Sequence, residues 1–186
     1  TLDGVGCDTA ISDVFAVEVV ADPVIDTQAI AAQEVCQNAN LLELTITVSG
    51  GIASSSFDYQ WYSNTINNNT GGTPIAGANT NTYTPDNTTI GTLYYYVVVT
   101  QTESGCEVIS TTSEVTITPG PTIVTQPVDS EVCLDGVANQ LTIVTQNGVG
   151  IPTYQWYSNT TNSTSGGTPI AGATNSTYDP PTNTVG

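Results

Sequence analysis

The chain has 186 residues and a formal net charge of −17, with 17 Asp and Glu and no Lys, Arg, His or Met. Those absences remove Ser–His–Asp and Cys–His nucleophile systems, Schiff bases, phosphate clamps and His-containing zinc sites, and an all-acidic chain repels nucleic acid and anionic lipid. Hydrophobic residues make up 38% and charged ones only 9%, so Thr, Val, Ser, Asn and Gly set the character of a β-rich folded chain rather than of a disordered acidic tail.

Taken in chain order, GVGCDTAISDVFAVEV holds Cys7 in a setting like that of Cys106 in SGCEVISTTSEVTIT, so residues 1–21 read as the last strand of a preceding repeat. Pro23–Gln28 reads as a short first strand, with Pro at its start where no ladder donor is needed. Leu41–Val48 alternates Leu42, Leu44, Ile46 and Val48 with Leu41, Glu43, Thr45 and Thr47, the pattern of a half-buried strand. Phe57–Tyr62 sets Phe57, Tyr59 and Trp61 on one face and Asp58, Gln60 and Tyr62 on the other. After the polar loop NTINNNTGG, TPIAG and NTYTP are short edge strands. Leu93–Thr100 (LYYYVVVT) is apolar on both faces, as a central strand is, and a turn at 103–105 leads into a last strand, Glu107–Thr118. Seven strands, with no stretch of helical period, predict an all-β fold of immunoglobulin-like sandwich type. No apolar run reaches the roughly 20 residues that span a bilayer, so no membrane insertion is expected within this stretch.

The pattern then repeats. YQWYSNT at 59–65 returns at 154–160 and GGTPIAGA at 71–78 returns at 166–173, both 95 residues later. TYTP at 82–85 returns as TYDP at 177–180, whereas EVC at 34–36 returns at 131–133, 97 residues later. An indel therefore lies between Cys and Trp. A period of about 95 residues suits a row of whole β-domains rather than a helical solenoid. Residues 22–120 form one complete unit, and residues 121–186 form the first two thirds of the next, ending where the counterpart of the 93–100 strand would begin. Strands supplied by a neighbouring chain are the alternative to a longer molecule.

The order VC, alternating strand, YQWY, GGTPIAGA, TYTP, YYYVVVT, SGC and S-E-V-x-I resembles the tandem Ig-like repeats of giant Bacteroidetes surface adhesins of the SprB type, which serve gliding motility. The resemblance covers 22–120 and, as far as it runs, 121–186. It implies a secreted, cell-surface filament exported by the type IX system. It also implies a Cys36–Cys106 disulfide within one unit, with Cys7 and Cys133 paired outside this stretch. In simple Ig topology, however, the turn before the second strand and the turn after the sixth lie at opposite ends, so a bridge between adjacent repeats stays open beside it. Regular cysteines in a β-repeat indicate an oxidising, extracellular setting.

The candidate residues divide by setting. Trp61 and Trp156, with Tyr59 and Tyr154 in phase, read as core residues of the third strand rather than as sugar platforms. Tyr62 and Tyr157 face outward and are the candidates for surface contact, and Tyr94 is the candidate for a tyrosine corner. Asp3, Asp8, Asp13, Asp22 and Asp26 gather near one junction but lack a D-x-D run, leaving no cofactor expected, with calcium as the one metal the composition leaves open. Asp8-Thr9-Ala10 matches a short bacterial O-glycosylation pattern at Thr9. No carboxylate recurs in a catalytic arrangement, so the chain is not expected to be an enzyme. The expected role is a stalk segment spacing a binding tip from the cell, its partners being adjacent repeats, surface glycans or other copies of the filament. A glycan-binding accessory module of a secreted polysaccharide-degrading enzyme, and a fibre subunit exchanging strands between chains, are the alternatives.

Overall fold

In the computed structural model, which describes residues 11–52 and 56–184, the protein is all-β, with strands and turns and no helix among the described residues. The first unit contains β1 (Pro23–Thr27), β2 (Ala32–Cys36), β3 (Leu44–Thr45), β4 (Thr47–Gly50), β5 (Phe57–Asn64), β6 (Thr73–Pro74), β7 (Thr82–Tyr83), β8 (Gly91–Gln101), β9 (Glu107–Ile109) and β10 (Ser113–Thr118). The second contains β11 (Thr122–Thr125), β12 (Leu141–Thr142), β13 (Val144–Gln146), β14 (Tyr157–Ser158), β15 (Thr168–Pro169) and β16 (Thr177–Tyr178).

Two layers enclose the first core. One is made of the β1–β4 and β3–β7 ladders; the other is a six-stranded sheet in the order β2-β10-β8-β5-β6, with β9 also beside β8. Leu44 and Ile46 from the first layer meet Trp61, Tyr95, Val97, Val99, Val115 and Ile117 from the second, with Ala78 closing one side. The period of two behind this arrangement is visible in β10, where Ser113, Val115 and Ile117 are buried and Glu114, Thr116 and Thr118 are half-buried. The result is a β-sandwich.

Three features differ from the strands read in the sequence. The first strand ends at Thr27, and the chain then crosses to the other sheet, where β2 runs parallel to β10 with Cys36 opposite Thr118. The sequence reading has no strand at 32–36, because Ala and Glu are poor strand formers and only the pairing with β10 makes one there. The second strand is interrupted at Ile46, whose N–H donates to Asn81 O while β3 and β4 pair with different neighbours. The strand expected at 107–118 is also two strands. Between them Ser110 Oγ accepts from Val97 N–H, Thr111 N–H donates to Gln28 Oε1, and Ser113 Oγ donates to Ile30 O. The break in the last strand is thus bonded to the crossing between β1 and β2.

The second unit repeats three of these ladders: β11–β13 for β1–β4, β12–β16 for β3–β7, and β14–β15 for β5–β6. The β12–β13 region follows β3–β4 by 97 residues, and Tyr157–Ser158 follows Tyr62–Ser63 by 95, so the indel falls in the turn between second and third strands. Residues 130–133, the counterpart of the β2 region, form no strand. In the first unit that segment is held by β10, and the 186 residues contain no second β10 sequence. Residues 11–21 likewise make no ladder, and Val14, Phe15, Val17 and Val19 are exposed.

Candidate functional site

The block shared by both copies is a hairpin built around tryptophan. Trp61 is fully buried; its N–H donates to Ala78 O, its carbonyl accepts from Ile75 N–H, and its indole Nε1 donates to Thr80 O at 2.9 Å. Gln60 Nε2 donates to Trp61 O and Ile75 O, stitching β5 to the GGTPIAGA segment from the outer side. Trp156 makes the same set: N–H to Ala173 O, carbonyl from Ile170 N–H, Nε1 to Asn175 O at 2.9 Å, with Gln155 Nε2 donating to Trp156 O and Ile170 O. Trp61 lies 5.9 Å from Tyr83 and Trp156 lies 5.9 Å from Tyr178, ring centroid to centroid. Trp156 is only half-buried, because Tyr95, Val97 and Val99 have no counterparts beside it.

The two glycines that open the block have different reasons. Gly71 and Gly166 have φ of 71° and 76°, in the left-handed region that side chains avoid. Gly72 instead lies so close to its neighbours that a Cβ would sit 2.8 Å from Ser63 O and 2.9 Å from the Tyr96 ring, and Gly167 is similarly close to Ser158 O. The loop before them drifts in sequence but keeps its anchor. Asn64 Nδ2 donates to Asn68 O and Thr70 O, and Asn159 Nδ2 donates to Ser163 O and Ser165 O. The sequence reading gave neither asparagine this anchoring role, although both end the repeated YQWYSN run.

Tyr59 is half-buried against the core, and Tyr154 is half-buried with its hydroxyl 3.2 Å from Thr145 Oγ1. Tyr62 stacks on Tyr96 with ring centroids 5.1 Å apart and planes 5° apart, which turns one of its faces onto the protein. Tyr157 is 60% exposed. Among the three consecutive tyrosines, Tyr95 enters the core and Tyr96 hydroxyl accepts from Gly72 N–H, so the backbone-bonded hydroxyl belongs to Tyr96 rather than Tyr94. Burial, with lesser contributions from Tyr83 and Asp86, pushes the Tyr95 phenol up to about 12. Asp86 is held below the usual carboxylate range by hydrogen bonds from Thr88 and Thr89.

The cysteines occupy the two poles of the unit. Cys36 ends β2 opposite Thr118, the last residue of β10, while Cys106 lies in the turn between β8 and β9. Thr118 lies twelve steps along a nearly extended chain from Cys106, about 40 Å at strand rise, against a limit of about 7 Å between the Cα atoms of a disulfide. The Cys36–Cys106 bridge within one unit, implied by the resemblance, is therefore corrected: β2 runs parallel to β10 and carries Cys36 away from Cys106. Cys36, Cys106 and Cys133 carry free thiols, Cys133 being exposed. Cys7 and Thr9, like Asp3 and Asp8, lie outside the described residues.

The pole that carries Cys106 is built around a polar core residue absent from the sequence reading. Gln101 is fully buried; its Nε2 donates to Ile52 O, its Oε1 accepts from Ser104 Oγ, and its N–H donates to Cys106 O. Gly51 makes room for it, since a Cβ there would overlap the Gln101 carboxamide. Among the described residues no cluster of three metal-ligating side chains occurs. Asp26 instead accepts from Ser49 Oγ at 2.8 Å.

A family model described as "Domain of unknown function (DUF8696)" matches residues 26–119, just over half the chain. The chain belongs to this family. The matched span opens in β1 and closes one residue after β10, so the DUF8696 domain corresponds to the first sandwich. No curated protein matches the chain.

Proposed function

We propose that this protein is a stalk segment: tandem, immunoglobulin-like sandwiches of a secreted cell-surface adhesin that hold a binding tip away from the cell. The observation that carries the reading is what the two copies share. Indole, glutamine and asparagine bonds recur atom for atom, whereas the outward loop residues change from NTINNNT to NTTNSTS. Internal scaffolding is retained and the outer surface is left to vary, as suits a spacer rather than a ligand site. The crossing of the first strand between sheets supports the immunoglobulin-like assignment. The short TPGPT junction supports close spacing, because two prolines restrict the backbone there. The indoles hydrogen-bond inward instead of lying open for a sugar ring.

A glycan array probed with the chain tests this. The stalk reading expects no reproducible hit. A sugar bound by the chain and lost on Tyr157→Ala or Tyr62→Ala would overturn it in favour of a glycan-binding accessory module.

A further inference from the structure

We propose that a disulfide crosses each junction between consecutive units, joining Cys36 of one unit to the cysteine that the next unit carries at the place of Cys106. This rests on the tandem reading above. The first unit offers one thiol at either pole, both belonging to the same sheet: Cys36 closes β2 at the pole where the chain leaves, and Cys106 precedes β9 at the pole where the chain enters. The entry pole is identified by Pro23 pairing with Gly50, and by Phe57 pairing with Gln101 just before the Cys106 turn.

Short contacts trace the path across the junction. Gln37 N–H donates to Thr118 O at 2.8 Å, so the Cys36 end of β2 is fastened to the end of β10. One residue further, Pro119 O accepts from Gly148 N–H at 3.0 Å, in the second unit's turn between second and third strands. A Cβ on Gly148 would lie 3.3 Å from Pro121, so that turn sits close against the linker. In the first unit the matching turn carries the Cys106 loop: Thr102 N–H donates to Ser56 O, Gln101 Nε2 donates to Ile52 O, and the Gln101 side chain packs on Gly51, the counterpart of Gly148. Gly51 precedes the two-residue indel in this turn, so its contact with the Gln101 carboxamide transfers directly to Gly148 and lays the second unit's cysteine-bearing turn beside the linker and the Cys36 end of β2. The VC motif returns at Cys133, which offers the same thiol to a following unit.

The chemistry is a two-electron oxidation. Each thiol loses a proton, one S–S bond forms, and the two electrons reduce a disulfide oxidant, glutathione disulfide or a thiol–disulfide oxidoreductase, to two thiols.

The test extends the full chain after Gly186 with a second copy of residues 92–120, which completes the second unit and adds a fifth cysteine, the appended copy of Cys106. After equilibration with reduced and oxidised glutathione, two of the five thiols should resist alkylation, and non-reducing peptide mapping should link Cys36 to the appended cysteine. Cys36→Ser should free the appended thiol and leave no other bridge. Scattering and quenching of Trp156 are measured on the same sample. A closed second sandwich with both thiols free, a Cys36–Cys106 link, or a bridge between two molecules would overturn the junction bridge while leaving the tandem reading intact. A second unit that stays open, with Trp156 still accessible, would overturn both.

Discussion

Trp61 shows how much of this fold rests on single residues. It is fully buried, yet both its backbone groups and its indole N–H are bonded to the segment that follows β5, so it fills the core and fixes a hairpin together. Trp61→Ala should cost about 3–5 kcal/mol, enough to unfold the first unit. In this 186-residue chain Trp156→Ala should cost clearly less, because Trp156 is half-buried where Trp61 is fully buried; denaturant melts of the two variants check the order. Tyr95 gives a second test at this scale. Its phenol titrates at about 12 in the folded chain against 10.0 ordinarily. In that interval the unfolded chain has lost the proton that the folded chain keeps, so stability is full below pH 10.0 and falls as pH rises towards 12. Tyr59 and Tyr83 are raised by burial and act in the same direction. Tyr95→Phe should flatten the alkaline fall in melting temperature, and tyrosinate absorbance should show one late-titrating group missing.

At the level of the element, the GGTPIAGA segment separates two uses of glycine. Gly71→Ala places a side chain at φ 71° with nothing within 4 Å, so its cost is backbone strain of about 1–2 kcal/mol. Gly72→Ala meets no such strain, but its Cβ would overlap Ser63 O and the Tyr96 ring, with an expected cost of about 1–3 kcal/mol. Adding Tyr96→Ala should relieve part of the overlap in the second variant and nothing in the first, which a double-mutant cycle measures. The contrast also shows what was legible beforehand. The repeated GG announces a turn, and the alternation through Tyr59 and Trp61 announces a strand facing a core, because both signals are local. β2 has no such local signal. Its sequence, AQEVC, becomes a strand through parallel pairing with residues 114–118, far along the chain. The position of Cys36 depends on that pairing, so spacing alone could not say which cysteine it faces. Gln101 was missed for a related reason: a polar residue at the end of an apolar strand reads as solvated, and only the converging turns make it buried and fully bonded.

The whole molecule has an electrostatic property that few chains share. With 17 carboxylates and no Lys, Arg or His, the side-chain charges repel one another without exception. Folding brings them closer together, so their mutual repulsion opposes the compact state, and with no side-chain cation there is no ion pair between side chains for salt to weaken. In ordinary proteins salt screens attractions and repulsions together, and the sign of the net effect varies. Here the sign is fixed. Screening lengths shrink from about 30 Å at 0.01 M to about 3 Å at 1 M, so the melting temperature should rise steadily over that range in sodium chloride. Amidating the carboxylates should remove most of the rise, separating screening from general salting-out. The same field acts between molecules: chains of this charge repel at low ionic strength and approach more closely as salt is added, as the proposed stalk role would use. Light scattering should give a positive second virial coefficient that falls with salt. A melting temperature that drops between 0.01 and 1 M sodium chloride would mean that the carboxylates are stabilised by interactions other than with one another, as by a bound cation, and would return attention to the acidic residues at the junction.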